Sequence, residues 1–218
     1  MIKCSSLFSS YPEHIKPLFE GVLYPWEILP KIGDYISALL KNPPKDFYEI
    51  EPGVLAHRDV KIGNNVTIMS PAVLGKGTEV RQGAYIRGNV ITGNNCVIGN
   101  SSEIKNSVLL DRVQVPHYNY VGDSVLGNYA HLGAGSILSN LKLGGKCVII
   151  HADTDYDTGL RKVGSFLGDY ADIGCSSVLN PGTVVGKGAR IYPLVALRGV
   201  ISENVIVKSD GKTYAKRD

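Results

Sequence analysis

Cysteine is scarce. Cys4, Cys96, Cys147 and Cys175 are the four in 218 residues, and no two form a C-x-x-C pair. Their spacing matches no zinc pattern, which excludes a zinc ribbon or finger and predicts no metal. No sequence context marks an activated thiol, so none of the four is expected to be a nucleophile. Long apolar runs are missing too, and none approaches the roughly 20 residues that cross a bilayer. The opening "MIKCSSLFSSYPEHIK" has no apolar stretch ending in a small-residue cleavage site, so neither export nor a membrane is expected. Reduced thiols in the cytoplasm follow as the expected setting. A net charge of +3, with no basic helix, excludes a nucleic-acid partner. Asp153, Asp155 and Asp157 lack the spacing and the Glu of a calcium loop and read as a solvated charged loop.

What is present begins with a hydrophobic fraction of 44%, enough for a sizeable core. Residues 1–50 differ from the rest. In "YPWEILPKIGDYISALLKN", Trp26, Ile28, Leu29, Ile32, Tyr35, Ile36, Leu39 and Leu40 recur at spacings near three and four. That is an amphipathic helical pattern, weakened by Pro30 and Gly33. This segment predicts a short helical lead-in, ended by "NPPKD" and packed on the main domain.

From 51 to 205 a different period rules. Ile62, Ile68, Leu74, Val80, Ile86, Ile98, Ile104 and Leu110 fall on one six-residue grid, which only Thr92 misses. It returns, shifted, at Leu126, Leu132 and Leu138, and again at Leu167, Ile173, Leu179, Val185, Ile191 and Leu197. "GNN" at 63–65 and 93–95 and "GKG" at 75–77 and 186–188 supply turns. A period of six is neither helical nor a two-residue alternation. It fits an all-β solenoid, a parallel β-helix with three flat faces to each 18-residue coil and one inward aliphatic per face. Two interruptions, 111–125 and 141–166, predict loop excursions; 206–218 is left as a tail.

Arg87 and Lys105 each follow an inward aliphatic and lie one coil apart, so they stack on one face about 5 Å apart. Two cations in that register point either to an anion between them or to a solvated surface with screened repulsion. His117, in "VPHYNYVGD" between 115 and 123, titrates near neutrality and suits a general base or a structural role. Tyr118 and Tyr120 flank it, for ligand or for packing. His131 precedes inward Leu132. His14, His57 and His151 read as packing or surface residues.

The hexapeptide spelling resembles the left-handed β-helix of hexapeptide-repeat acyltransferases; the hand comes from that resemblance, since crossovers in general favour the right. "GNSSEIKNSVLLDRVQVPHYNYVGDSVLGNYAHLGAGSILSNLKLGGK", 99–146, further resembles the acetyltransferase domain of bifunctional UDP-N-acetylglucosamine pyrophosphorylase/glucosamine-1-phosphate N-acetyltransferases. The archaeal sugar-1-phosphate nucleotidyltransferase/acetyltransferases are more similar still. "TGLRKVGSFLGDYADIG" is similar to their loop and re-entry, and the likeness spans about 52–202. It implies acetyl transfer from acetyl-CoA to the 2-amino group of an amino-sugar 1-phosphate, most simply glucosamine 1-phosphate. His117 would be the base. Arg87, Lys105, Tyr120 and Lys146 would hold the phosphate, with Glu103 near the amine and Asn140 on the sugar. The segments of Cys175 and Pro193 would meet the coenzyme through backbone atoms. A homotrimer is implied, with sites between neighbouring β-helices.

Three positions depart from the family. His131 stands where bacterial members carry a sugar-contacting Asn and is kept as a substrate candidate. Cys175 replaces a Ser, and Ile149 an archaeal Lys. His57, His117 and His131 do not present the three-His pattern of β-helix carbonic anhydrases. Nothing in 1–50 resembles the Gly-rich loop of the nucleotidyltransferase domain. A stand-alone acetyltransferase half is expected, with a separate nucleotidyltransferase in the pathway. The other readings are the same chemistry on another amino sugar or nucleotide-sugar, and a non-catalytic regulatory or oligomerisation partner of a sugar nucleotidyltransferase.

Overall fold

One inward aliphatic in six, fenced by turn residues, leaves room only for very short strands. In the computed structural model, which describes residues 2–216, most strands of the coil are two or three residues long, such as Glu79–Val80, Tyr85–Ile86 and Val90–Thr92. They stack into three sheets of nine, nine and seven strands, parallel except for one antiparallel strand at an end of each nine-stranded sheet, a left-handed β-helix of about nine turns. The first sheet runs from Phe47–Glu51 and Val54–His57 through Ala72–Leu74 to Val200–Ile201. The second starts at Lys61–Ile62, and the third at Thr67–Ile68. Inside, Leu74, Val80, Ile86, Ile98, Ile104, Leu132, Leu138 and their successors form one continuous core.

The grid misplaces one stretch. Residues 111–125, expected as a loop excursion, lie in the regular coil: Gln114–His117 belongs to the second sheet and Tyr120–Gly122 to the third. Ile86 pairs with Ile104, 18 residues on, but Ile104 pairs with Val121 and Val121 with Leu138, each 17 on. One residue is dropped at the corner between the third and first sheets in both of these coils. The shift makes Leu109 the inward residue. Leu110, expected inward, faces outward into a second apolar cluster.

That second cluster explains the lead-in. Strands of the first sheet read AVL, VIT, SVL, SFL and TVV, uncharged, with every residue buried and an aliphatic or aromatic residue at the centre. Strands covered on both faces lose the polar alternation. The outward members, Val73, Ile91, Val108, Val125, Phe166 and Val184, pack under Leu7, Ile15, Trp26, Ile28, Ile32 and Ile36 of the lead-in. The expected helical stretch is two pieces, a 3-10 turn Pro25–Lys31 and an α-helix Ile32–Lys41. Pro30 sits in the 3-10 piece, before the α-helical hydrogen bonds that it would block. His14 is buried and its Nε2 donates to the Thr92 carbonyl at 2.8 Å, pinning the lead-in to the coil.

Of the stretch expected as an excursion at 141–166, Ser165 and Phe166 already lie in a strand of the first sheet, Ser165–Leu167. Leu138 pairs with Leu179, 41 residues on, and between them lies a hairpin of Ile149–His151 and Asp155–Asp157. The last strand of the segment expected as lead-in, Phe47–Glu51, already pairs antiparallel with the first sheet. The segment expected as a tail likewise contributes Thr213–Ala215, antiparallel to Val205–Val207. Among the described residues, no helix is long and apolar enough to cross a membrane.

Candidate active site

The outer side of the third sheet carries one row of side chains in register: Tyr85, Glu103, Tyr120 and Ile137. Just past each inward residue comes a second row, in which Arg87 and Lys105 occupy adjacent coils, as their spacing predicts. Neither cation is free. Arg87 Nη1 donates to Glu103 Oε1 at 2.6 Å, and the carboxylate raises the guanidinium's pKa further. Lys105 Nζ pairs with Asp123 Oδ2 at 3.4 Å. Two cations and two carboxylates therefore offset each other on one face. That arrangement removes the repulsion expected of a bare stacked pair.

Asp123 is the residue that sequence reasoning missed. It is only 4% exposed and sits at the shortened corner with φ +47°. Its Oδ1 accepts from the Asn106 amide at 2.8 Å, and its Oδ2 accepts from Asn140 as well as Lys105. A Cβ on Gly122 would lie 2.6 Å from Asn140 Nδ2 and 2.7 Å from the Tyr120 hydroxyl. Glycine at 122 is thus what lets these two polar groups converge. Burial, then the charges of Glu103 and Asp123, push the Tyr120 phenol up, so it stays a protonated donor at neutral pH. Arg87, Glu103, Lys105, Tyr120 and Asn140 are brought together. A signal for Asp123 lay in "YVGD", an acidic residue at a turn position, but only the fold brings it to Lys105.

His117 ends its strand on the second sheet, at the corner leading to the third. Its imidazole is exposed, and its main chain is held by Asn119 Oδ1 at 3.0 Å and by the Gly135 N–H at 3.0 Å. The next coils place Ala134, Cys175 and Pro193 at the same corner. The Ser176 N–H donates to the Ala134 carbonyl at 2.8 Å, and the Leu194 N–H to the Cys175 carbonyl at 3.0 Å. At a coil spacing of about 4.8 Å, Cys175 stands roughly 10 Å and Pro193 roughly 14 Å along the axis from His117. The corner forms an exposed ladder of backbone groups beside His117.

Two candidates stay apart. His131 faces outward from the second sheet, where its Nδ1 lies 2.9 Å from Asp172 Oδ1 and holds that carboxyl below its usual range. Lys146 is exposed in the excursion, with no ion pair or hydrogen bond among the described residues. The row of Arg87 and Lys105 continues into a cleft of about 420 Å³ beneath the excursion, lined by Ser139, Lys142, Ile149, Asn180 and Arg198 among others. Cys4 and Cys96 are buried and pushed up to about 12, too high for a thiolate nucleophile. Among the described residues, no group of His, Cys, Asp and Glu has the placement to hold a metal.

These coils define the class: the chain is a left-handed hexapeptide-repeat β-helix. The fold matches the UDP-N-acetylglucosamine acyltransferase of Francisella novicida with a TM-score of 0.50 at 18% identity, over 75% of this chain and 62% of that one. By sequence the chain is related to the bifunctional sugar-1-phosphate nucleotidyltransferase/acetyltransferases, over their C-terminal region. It is 31% identical over 185 residues to the bifunctional protein GlmU of Methanococcus aeolicus, a match over 77% of this chain and 41% of that protein. It is 34% identical over 150 residues to the bifunctional sugar-1-phosphate nucleotidylyltransferase/acetyltransferase of Sulfurisphaera tokodaii, over 68% and 37% respectively. The chain spans less than half the length of these relatives. Residues 68–155 also match the family model described as the GMPPB C-terminal domain.

Proposed function

We propose that the chain transfers acetyl from acetyl-CoA to the 2-amino group of an amino-sugar 1-phosphate, with glucosamine 1-phosphate as the first candidate. One observation carries the reading: Arg87–Glu103 and Lys105–Asp123 form interleaved charge pairs on one face, with Tyr120 and Asn140 beside them. Such a face suits a ligand that bears both signs. The phosphate would draw on Arg87 and Lys105, joined by Lys146 if the excursion closes. The amine would lie by Glu103. A ligand with phosphate alone would leave the carboxylates without their cations, which disfavours it.

His117 would accept the proton as the amine nitrogen attacks the thioester carbonyl. The new C–N bond forms and the C–S bond breaks; the proton then passes from His117 to the leaving coenzyme thiolate. Backbone N–H groups at the corner would stabilise the oxyanion, while the Cys175 and Pro193 segments lie along the coenzyme. The relatives, a UDP-N-acetylglucosamine acyltransferase and nucleotidyltransferase/acetyltransferases, support the same class. A homotrimer accommodates the reading, since the second sheet of a neighbour would then bring its His131 toward this face.

The test is release of free thiol from acetyl-CoA with glucosamine 1-phosphate or galactosamine 1-phosphate. Turnover abolished by His117→Ala supports the reading. No release with either sugar overturns it and favours a non-catalytic partner of a nucleotidyltransferase.

A further inference from the structure

We propose that Asp123 is a positioning residue for the sugar-phosphate site: its carboxylate fixes the Lys105 ammonium and the Asn140 amide where both reach the substrate. The inference rests on the function proposed above.

The corner does not by itself demand an acid. The equivalent position one coil earlier is Asn106, with φ +45°, and Asn89 at the corner before has φ +51°. Asparagine suits the left-handed region as well as aspartate does. The chain nevertheless places a carboxyl group here at 4% exposure, and a buried acidic side chain persists only with partners. All the side-chain partners of Asp123 are donors: Asn106 on Oδ1, and Lys105 and Asn140 on Oδ2. An amide at 123 would turn an NH2 group on one set of them, so only a carboxylate satisfies both. The main chain agrees. The Asp123 carbonyl accepts from Gly164 at 2.7 Å and the Asn140 carbonyl from Val163 at 3.0 Å. The end of the excursion is therefore fastened to the same two residues. Asp123 touches no substrate; it acts through Lys105 and Asn140.

Asp123→Asn separates this role from a corner role, because Asn serves the corner equally. The positioning role predicts that KM for glucosamine 1-phosphate rises roughly 10- to 100-fold while kcat and the acetyl-CoA KM change by less than about threefold. It also predicts that Lys105, read by peptide mass after brief amine labelling, reacts about fivefold or more faster in the variant than in the wild type. Unchanged KM and unchanged labelling in a folded variant overturn it. If the wild type turns over no amino-sugar phosphate, the functional reading fails, and the Lys105 labelling ratio alone decides the role of Asp123. If the variant does not fold, the wild-type chain decides. Lys105 labelled as fast as exposed Lys146 overturns the proposal, and labelling about fivefold or more slower supports it.

Discussion

Gly99→Ala should damage turnover far more than it damages the fold. Gly99 lies in the strand Val97–Asn100, paired with the strand that ends in His117. A Cβ built on it would stand 2.5 Å from Pro116 Cα and closer still to the Pro116 carbonyl, where ordinary contact begins at 3.4 Å. The obstacle is backbone, so the Pro116 carbonyl must retreat by more than about 1 Å to reach ordinary contact, and His117 follows it in the chain. Overpacking of this kind costs about 1–3 kcal/mol. For a chain of this size that lowers Tm by about 2–12 °C. A 1 Å displacement of a reacting group costs on the order of 100-fold in rate. The expected result is therefore a folded protein, with melting followed by circular dichroism, whose kcat in the thiol-release assay falls about 100-fold. Gly21→Ala is the control: no heavy atom lies within 4 Å of its added Cβ, and only its φ of +72° is strained. Wild-type kcat and Tm in Gly99→Ala would refute both the coil-to-coil transmission and the part given to His117.

Phe166→Ala empties a fully buried place between the first sheet and Trp26, at a cost of about 3–5 kcal/mol. Scanning calorimetry should show Tm about 6–20 °C lower; a smaller change would mean that the lead-in is not seated on that face. Burial holds the His14 pKa below its ordinary 6.5. The unfolded chain then binds more protons than the folded one, so this contribution is complete above pH 6.5 and drains away as pH falls below it. His14→Gln should flatten that part of the Tm–pH curve, and an unchanged slope would count against it. Cys175→Ser should keep kcat within about twofold, because the proposed coenzyme contacts there are main-chain; a tenfold loss would give the thiol itself a part.

The regular coils were legible because inward aliphatics such as Leu74, Val80 and Ile86 are repeated for one physical reason, stacking on the coil below. The lead-in's target was legible in principle as well, in triplets such as AVL and TVV whose outward central residue is apolar, as a one-sided face would not need. The break after Ile104 was not. In one dimension, dropping a single corner residue looks the same as inserting a loop, because both shift the phase of Leu126 and Leu132. Pairing in three dimensions separates the two. The charge pairs were hidden for a similar reason. Arg87 and Lys105 were visible at 18 residues, but their carboxylates sit 16 and 18 residues further on, at places fixed by strand register and by the shortened corner.

The covered first sheet has a consequence for assembly geometry. A triangular prism with one side closed by its own chain offers two sides that meet along one edge, and His117, Cys175 and Pro193 line that edge. A copy can give one open side and receive another, which is a head-to-tail contact, and such a contact closes into a ring when the rotation between copies divides a full turn. The lead-in thus acts as a stopper. By removing one side from use it confines any side-to-side contact between copies to the other two.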